Sequence, residues 1–480
     1  MTTTTAAPAS SSATRAAPML AILLAGQAMS SMDGSIAAVA APAIRADLAA
    51  TAAVQQLVLV GYTLAFAVLV VTGARLGARH GYARVFRLGL AGFTAASLTC
   101  GIAPWATVLV AARVVQGAAA ALMVPQVLAL IHRRLAGRAR ERAIGAYSAV
   151  LALGVAGGQI IGGLLVTLDL GGLSWRTAFL VNVPIGLVLL AAAPRYLSGG
   201  GDQDDEHRLD LLGVLTLSGA MVAVVLPLVT GREFGWPAWL WAALICAGGA
   251  LLAAFLRFER RATGSTAPLI DPGVLATPGV PAGLTASFAV MGCYAAFLFA
   301  LTLRLQDGLG LSALAAGLAF VPYATGFALC SLGAPRVAAR VSGALPVTGP
   351  LMFAGAAVAV AVLSRPGWSW LWCSLLLVMA GAGHAAGFSP LVARMSAAIP
   401  AASAASLSAL VSTGALLANV LGVAAVGGVY LALAGPEGNR SATGFTAAAA
   451  VIAGLLVFGA VAAWRAGRAA SRVEVRATHP

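Results

Sequence analysis

Two charged side chains stand inside long apolar runs of this sequence: Asp33 in AGQAMSSMDGSIAAVAAP and Arg113 in VLVAARVVQGAAAAL. Charge in an apolar run is costly and marks a functional position by default. A carboxylate there can bind and release a proton, hold a cationic substrate, or cap neighbouring backbone. Low dielectric penalises its charged form and a nearby guanidinium favours it, so protonation can follow conformation. For Arg113 the alternatives are coupling to such a carboxylate or packing against backbone carbonyls. His384 is the one histidine deep in an apolar run. It is either a proton relay, because imidazole titrates near neutral pH, or a packed ring. Gln27, Gln116, Gln159, Asn182 and Asn419 are candidate cavity-lining amides in such runs; each either lines a cavity or bonds between helices.

The elements that carry these residues follow from composition. The chain has 480 residues, 60% of them hydrophobic and 9% charged, with a mean hydropathy of +0.94. Soluble domains carry about 25% charged residues, and disordered chains need low hydrophobicity, so both classes are excluded. The apolar runs are long rather than alternating, which argues against a membrane β-barrel. A membrane helix needs about 20 apolar residues. Fourteen segments qualify: 19–41, 52–73, 85–103, 106–131, 143–166, 177–195, 211–230, 237–256, 280–303, 312–333, 345–364, 368–392, 405–433 and 443–464. The expected class is an all-α polytopic membrane protein.

Net charge is +14, and all 29 basic residues are arginine. They sit in short clusters between apolar runs, which argues for membrane topology and against nucleic acid. With the N-terminus in the cytoplasm, 22 arginines fall on the cytoplasmic side and 6 on the other, with Arg113 left inside a span. That split follows the positive-inside rule for fourteen spans with both ends cytoplasmic. At 1.5 Å per residue, Asp33 and Arg113 then sit at similar depth, roughly 10–12 Å below the outer boundary. The most polar stretch, 198–210, divides the chain. The expected organisation is a cytoplasmic tail (1–18), a six-helix bundle (19–197), a linker (198–210), two extra helices (211–256), a second linker (257–278), a second six-helix bundle (279–465) and a cytoplasmic tail (466–480). The five cysteines lie in apolar runs without metal-ligand spacing. No nucleotide-binding glycine loop opens onto a lysine, so neither an enzyme nor an ATP-driven pump is expected, and no cofactor or metal is called for.

Several local patterns converge on one family. Residues 73–89 read GARLGARHGYARVFRLG, span five carries Gly145, Gly154, Gly158, Gly162 and Gly163, and span six opens with Trp175-Arg176, Phe179, Asn182, Pro184 and Gly186. Together with Asp33 to Pro42 in span one, and with LRLQDGLGLSALAAGLAFVP and GAGHAAGFSPLV later in the chain, these resemble the major facilitator superfamily, in particular its 14-span drug:proton antiporter branch. Tyr62 matches that branch's second-span tyrosine. The resemblance implies proton or substrate coupling by Asp33 and Arg113. It implies a cavity lined by residues such as Gln27, Tyr62, Gln116, Asn182, His384 and Asn419. It also places an antiporter motif in span five (Gly145, Gly154, Gly158, Gln159, Gly162, Gly163), acting as a hinge between the halves. A cytoplasmic loop motif at Leu76, Arg79, Gly81 and Arg84 would clamp the inner ends of the bundles in one state.

The chain departs from the family pattern at Ala74, Ala78 and Tyr82 of the loop motif, and at Gln159, where the antiporter motif has proline. The resemblance implies a monomeric exporter of small hydrophobic or cationic molecules in the bacterial inner membrane, working with protons within the lipid bilayer. The alternatives are a dedicated exporter of one endogenous metabolite and an uncoupled facilitator.

Overall fold

The computed structural model describes residues 10–197, 211–231, 234–261, 272–341, 344–400, 403–435 and 440–478. All regular structure among them is helical. The first seven helices are α1 (Ser10–Asp47), α2 (Ala52–His80), α3 (Tyr82–Gly101), α4 (Ala106–Arg134), α5 (Gly137–Leu168), α6 (Arg176–Leu180) and α7 (Asn182–Tyr196). Next come α8 (Leu211–Thr230), α9 (Ala238–Arg261) and the short α10 (Pro272–Ala276). The last seven are α11 (Val280–Leu303), α12 (Ala313–Ala319), α13 (Val321–Val341), α14 (Leu345–Leu363), α15 (Trp370–Ala397), α16 (Ala404–Ala434) and α17 (Ser441–Thr478).

Each helix overlies an apolar run, and local chemistry sets the breaks. Pro184 has no N–H for the carbonyl four residues back, at Leu180, and the sixth segment divides there into α6 and α7. Pro322 does the same between α12 and α13. Thr51 caps α2 by accepting from the Val54 amide at 3.4 Å, and Ser312 caps α12 through the Ala315 amide at 3.2 Å. Gly81 turns the chain between α2 and α3 with φ +92°, a conformation that favours glycine.

Three expected boundaries shift. α1 starts at Ser10, so the second half of the expected tail 1–18 is helical; α17 runs to Thr478 through most of the tail expected at 466–480; and α9 extends to Arg261, into the second linker. Hydropathy marks where lipid contact ends, whereas the backbone ladder continues until its hydrogen bonds find other partners. The linker at 198–210 lies outside the described residues.

Eleven described helices are long and apolar enough to cross a membrane, and the stretches Gly157–Leu168 and Leu215–Thr230 are apolar but shorter. α3 is not among the eleven, because Arg84 and Arg87 near its start lower its hydropathy. Large apolar side chains such as Leu153, Val188, Trp239 and Leu371 are exposed, as a lipid-facing surface requires. The molecule is a polytopic membrane protein.

Helices α1 to α7 form one bundle around a core that includes Phe86, Phe93 and Met123. Helices α11 to α17 form a second around Phe297, Phe353 and Phe445. α8 packs against α2, α16 and α9; Val225 and Val229 of α8 join Ala53 and Val60 of α2 and Val420 and Ala424 of α16 in one cluster. The two bundles echo each other. Gly117 of α4 lies against the Tyr62 carbonyl of α2, and Gly381 of α15 lies against the Tyr323 carbonyl of α13. A Cβ at either glycine would meet that oxygen at about 2 Å, so only glycine permits the approach.

Candidate functional site

Asp33 sits on α1 inside the first bundle, 1% exposed, and pairs directly with the fully buried Arg113 of α4. The two residues expected at similar depth are thus in contact, as a salt bridge. Arg113 also donates from Nη1 to Gln116 Oε1 at 2.7 Å and from Nε to the Val58 carbonyl of α2 at 2.9 Å. Its guanidinium carbon lies 4.3 Å from the centre of the Tyr62 ring. Asp33 Oδ1 accepts from Gln116 Nε2 at 2.8 Å and from Asn182 Nδ2 of α7 at 3.2 Å. Both amides also donate to Ser97 Oγ of α3, at 3.0 Å each. Tyr62 reaches back to α1 through Ser30, 3.0 Å from hydroxyl to hydroxyl. One carboxylate thus holds together α1, α3, α4 and α7, with α2 joined through Arg113. A charge pair so buried persists only when every lone pair and most N–H groups are engaged, and here both carboxylate oxygens are. Ser97 and the Val58 carbonyl join the cluster without a sequence signal, and Arg113 Nη2 is left without a partner among the described residues. A serine among alanines resembles any packed small residue.

A cavity of about 700 Å³, its open mouth included, lies between the two bundles. Its walls are α1 (Gly34, Ser35), α2, α5 (Gln159), α11 (Tyr294, Phe299) and α16 (Asn419). None of its lining side chains is charged. Of the cavity residues expected from sequence, Asn419 lines it. Gln27, Tyr62, Gln116, Asn182 and His384 do not: Tyr62, Gln116 and Asn182 point into the interior of the first bundle. Gln27 donates to Ser31 on its own helix at 3.0 Å. Asp33 likewise faces that interior while its neighbours Gly34 and Ser35 face the cavity. Hydropathy locates a residue in depth, but rotation about the helix axis depends on neighbours that no single segment contains.

His384 of α15 is 4% exposed and sits behind the cavity wall. Its Nδ1 lies 2.9 Å from the Tyr323 hydroxyl. Its ring is stacked at 4.7 Å on Tyr294, which does line the cavity, and Phe327 lies at 4.8 Å. The first bundle therefore holds charge and amides in its interior, and the second holds an aromatic cluster.

Residues 23–203 match the sequence model of the Major Facilitator Superfamily. A puromycin resistance protein from Streptomyces alboniger is 34% identical over 463 residues, 93% of this chain and 90% of that protein. The chain belongs to the major facilitator superfamily. A probable actinorhodin transporter from Streptomyces coelicolor is 39% identical over 305 residues, 63% of this chain, and a cephamycin export protein from Amycolatopsis lactamdurans is 40% identical over 294 residues, 61% of this chain. The chain spans only 52% and 59% of the length of these two relatives. Two solved structures share the fold. One is a bacterial homologue of the human lysosomal transporter Spinster, inward-facing and unoccupied (TM-score 0.67, 17% identity, 95% of this chain and 97% of that one). The other is a peptide transporter in complex with sulfate (TM-score 0.66, 16% identity, 94% and 95%). The resemblance drawn from the motifs, to the superfamily's drug-efflux members, holds.

The glycines of α5 take defined places. Gly154, Gly158 and Gly162 lie against Ser31, Met32 and Ile36 of α1, inside the first bundle, while Gly163 lies against Ala313 and Leu314 of α12, in the second. Gly145 has open space where a Cβ would be. The close approach of α5 to the second bundle therefore rests on Gly163, and on Gly317 of α12 against the Gln159 carbonyl, rather than on the whole ladder. In the loop motif, Leu76 is half-buried and Gly81 makes the turn, while Arg79 and Arg84 are exposed. Neither arginine makes a hydrogen bond or ion pair among the described residues. The expected clamp is not engaged in this conformation.

At the opposite end of the bundles three hydrogen bonds join the halves: Gln306 Nε2 to the Val39 carbonyl at 3.0 Å, the Leu314 amide to Thr167 Oγ1 at 3.1 Å, and Gln56 Nε2 to the Val423 carbonyl at 3.1 Å. Arg304, expected to lie outside the spans, is instead 3% exposed in a π-helical turn (Arg304–Gly308) that ends α11. It donates to Ser441 Oγ of α17 at 2.7 Å and to the Ser364 carbonyl after α14 at 2.5 Å.

Proposed function

We propose that this chain exports small hydrophobic antibiotics or similar metabolites from the cytoplasm of a bacterium, by proton antiport and alternating access in the inner membrane. The observation that carries the reading is the Asp33–Arg113 pair, buried one helix face away from an uncharged cavity between two bundles. Superfamily relatives named for puromycin resistance, cephamycin export and actinorhodin transport support the substrate class. The arginine distribution supports fourteen spans, organised as six, two and six, with both termini in the cytoplasm; the family resemblance implies a monomer as the working unit.

In this reading the hydrogen bonds Gln306–Val39, Leu314–Thr167 and Gln56–Val423 close the periplasmic end, and the cavity opens to the cytoplasm to load substrate. Rocking of the two halves around the cavity parts the α5–α12 contact and brings the cytoplasmic ends together, where Arg79 and Arg84 then engage the second bundle. Protonation of Asp33 removes the charge that holds Arg113, Gln116 and Asn182 on one point. α1 is then free to shift against α4 and α7. Because α1 also lines the cavity through Gly34 and Ser35, the proton and the substrate act on one helix from its two faces. Uncoupled facilitation is the second reading, favoured by Ala78 and Gln159 at two motif positions.

The test is accumulation of a fluorescent hydrophobic probe in a pump-deficient bacterium expressing the chain or Asp33→Asn, with and without a protonophore. Antiport through Asp33 is expected to give low accumulation that rises with either treatment. Low accumulation that survives both treatments contradicts proton antiport through Asp33, and accumulation equal to the empty vector for several antibiotics contradicts the exporter reading.

A further inference from the structure

The central cavity has a chemistry of its own, distinct from that of the Asp33 cluster. Gln159 of α5 is 2% exposed and lines it, and its Oε1 has no hydrogen-bond partner among the described residues. Asn419 of α16 lines the same cavity, and its Oδ1 also lacks a partner. With α12 and α13 counted as one segment, α5 and α16 each belong to the fifth segment of their bundle, so each half of the molecule contributes one amide. Buried polar atoms are nearly always satisfied, and a side-chain amide offers an acceptor and two donors at one point. Two amides that each carry a buried, unpartnered oxygen thus border one cavity, and a donor on what enters it would complete them.

The aromatic wall supplies the second half of the argument. Tyr294 lines the cavity with its ring held from behind, stacked at 4.7 Å on His384, which Tyr323 fixes by a hydrogen bond of 2.9 Å. A ring so backed presents a flat, pre-set face, and aromatic faces stack with planar ligands. The lining carries no carboxylate, so a cation in this cavity would have no counter-charge, and burying an unpaired charge is strongly disfavoured.

We propose that the cavity selects uncharged planar aromatic molecules bearing hydroxyl and carbonyl groups, with Tyr294 as the stacking surface and Gln159 and Asn419 as the polar anchors. This deepens the exporter reading and rests on it. It also narrows the substrate class, which the sequence left open between hydrophobic and cationic molecules.

The experiment is quenching of intrinsic fluorescence in the purified full chain. The probes are 1,8-dihydroxyanthraquinone, anthraquinone without hydroxyls, and ethidium as a planar cation. The variants are Gln159→Leu, Asn419→Leu, their combination, Tyr294→Phe and Tyr294→Leu. Monodispersity and thermal unfolding of each variant confirm that it folds. The dihydroxy compound is expected to bind most tightly. Loss of one amide is expected to weaken it by about tenfold, the scale of one hydrogen bond. Anthraquinone is expected to be insensitive to the amide substitutions. Tyr294→Phe keeps binding and Tyr294→Leu weakens both quinones. Ethidium binding as tightly as the dihydroxy compound, binding unchanged by Gln159→Leu and Asn419→Leu, or no binding of the quinones by the folded chain overturns the proposal. Export is measured separately in cells. Binding as expected without export defeats the exporter reading and leaves the cavity's selectivity standing, whereas export without this selectivity defeats only the proposal.

Discussion

At the scale of the residue, the Asp33–Arg113 pair makes a prediction that separates stability from coupling. Removing one partner of a buried ion pair leaves the other uncompensated, at a cost of about 3–5 kcal/mol. Asp33→Asn is therefore expected to lower the thermal midpoint of the purified chain and to abolish proton-dependent export. The double variant Asp33→Asn/Arg113→Gln removes both charges from the low-dielectric interior. It is expected to recover most of the lost stability while export stays absent. A double variant less stable than the single, or one that exports, would contradict the account of this pair. The pair was legible in the sequence because charge is conspicuous among alanines and leucines. Ser97, the acceptor shared by Gln116 and Asn182, was not, because a hydroxyl in an apolar helix usually bonds its own backbone, as Thr94 does to Leu90. Tyr294 was missed for a related reason. Its role comes from the stacking behind it, which no local pattern encodes.

Between elements, two arginine brackets fasten corresponding helix ends with the charge exchanged between them. In the first bundle Arg176, at the start of α6, donates to Asp47 at the end of α1 (2.5 Å) and to the Ala103 carbonyl after α3 (3.3 Å). In the second, Arg304 at the end of α11 donates to Ser441 at the start of α17 and to Ser364 after α14. Each bracket joins the first, third and last spans of its half and so stiffens the half as a body. Arg304 is buried without a carboxylate, and its hydrogen bonds are charge-assisted, worth about 1.5–3 kcal/mol each. Arg304→Gln is expected to destabilise the purified chain by roughly 2–3 kcal/mol, read from thermal unfolding; an unchanged midpoint would show that the bracket carries no strain. Along α5, Gly158→Val places a branched side chain where even a Cβ meets the Met32 carbonyl at 2.6 Å. It is expected to reduce both folded yield and export. Gly157→Ala, one residue away in open space, is expected to leave both unchanged. The glycine spacing showed in the sequence that α5 is approached closely, but not by which helix, since spacing gives a face and not its occupant.

For the whole molecule, the fourteen apolar segments correspond in order to the helices or helix pairs of the structure, because each run is long and bounded by arginine, glycine or proline. The bundle contacts were not legible, since they depend on which faces meet. α8 against both α2 and α16 is an example: its apolar surface reads the same whether it faces protein or lipid. Contact between the halves at one end gives a prediction of its own. In a background with the native cysteines replaced, a disulfide between Thr167→Cys and Leu314→Cys is expected to hold that end closed and stop export, with recovery on reduction. Export that continues under complete cross-linking would mean that this end need not open.

The central claim, export driven by protons through Asp33, is tested most directly in inside-out vesicles loaded with acidic buffer. The measurement is uptake of puromycin and of a hydroxyanthraquinone, for the native chain and for Asp33→Asn, with and without the pH gradient. The account predicts uptake by the native chain that collapses with the gradient and is absent in Asp33→Asn. Uptake of equal rate and extent in both proteins, indifferent to the gradient, would contradict it.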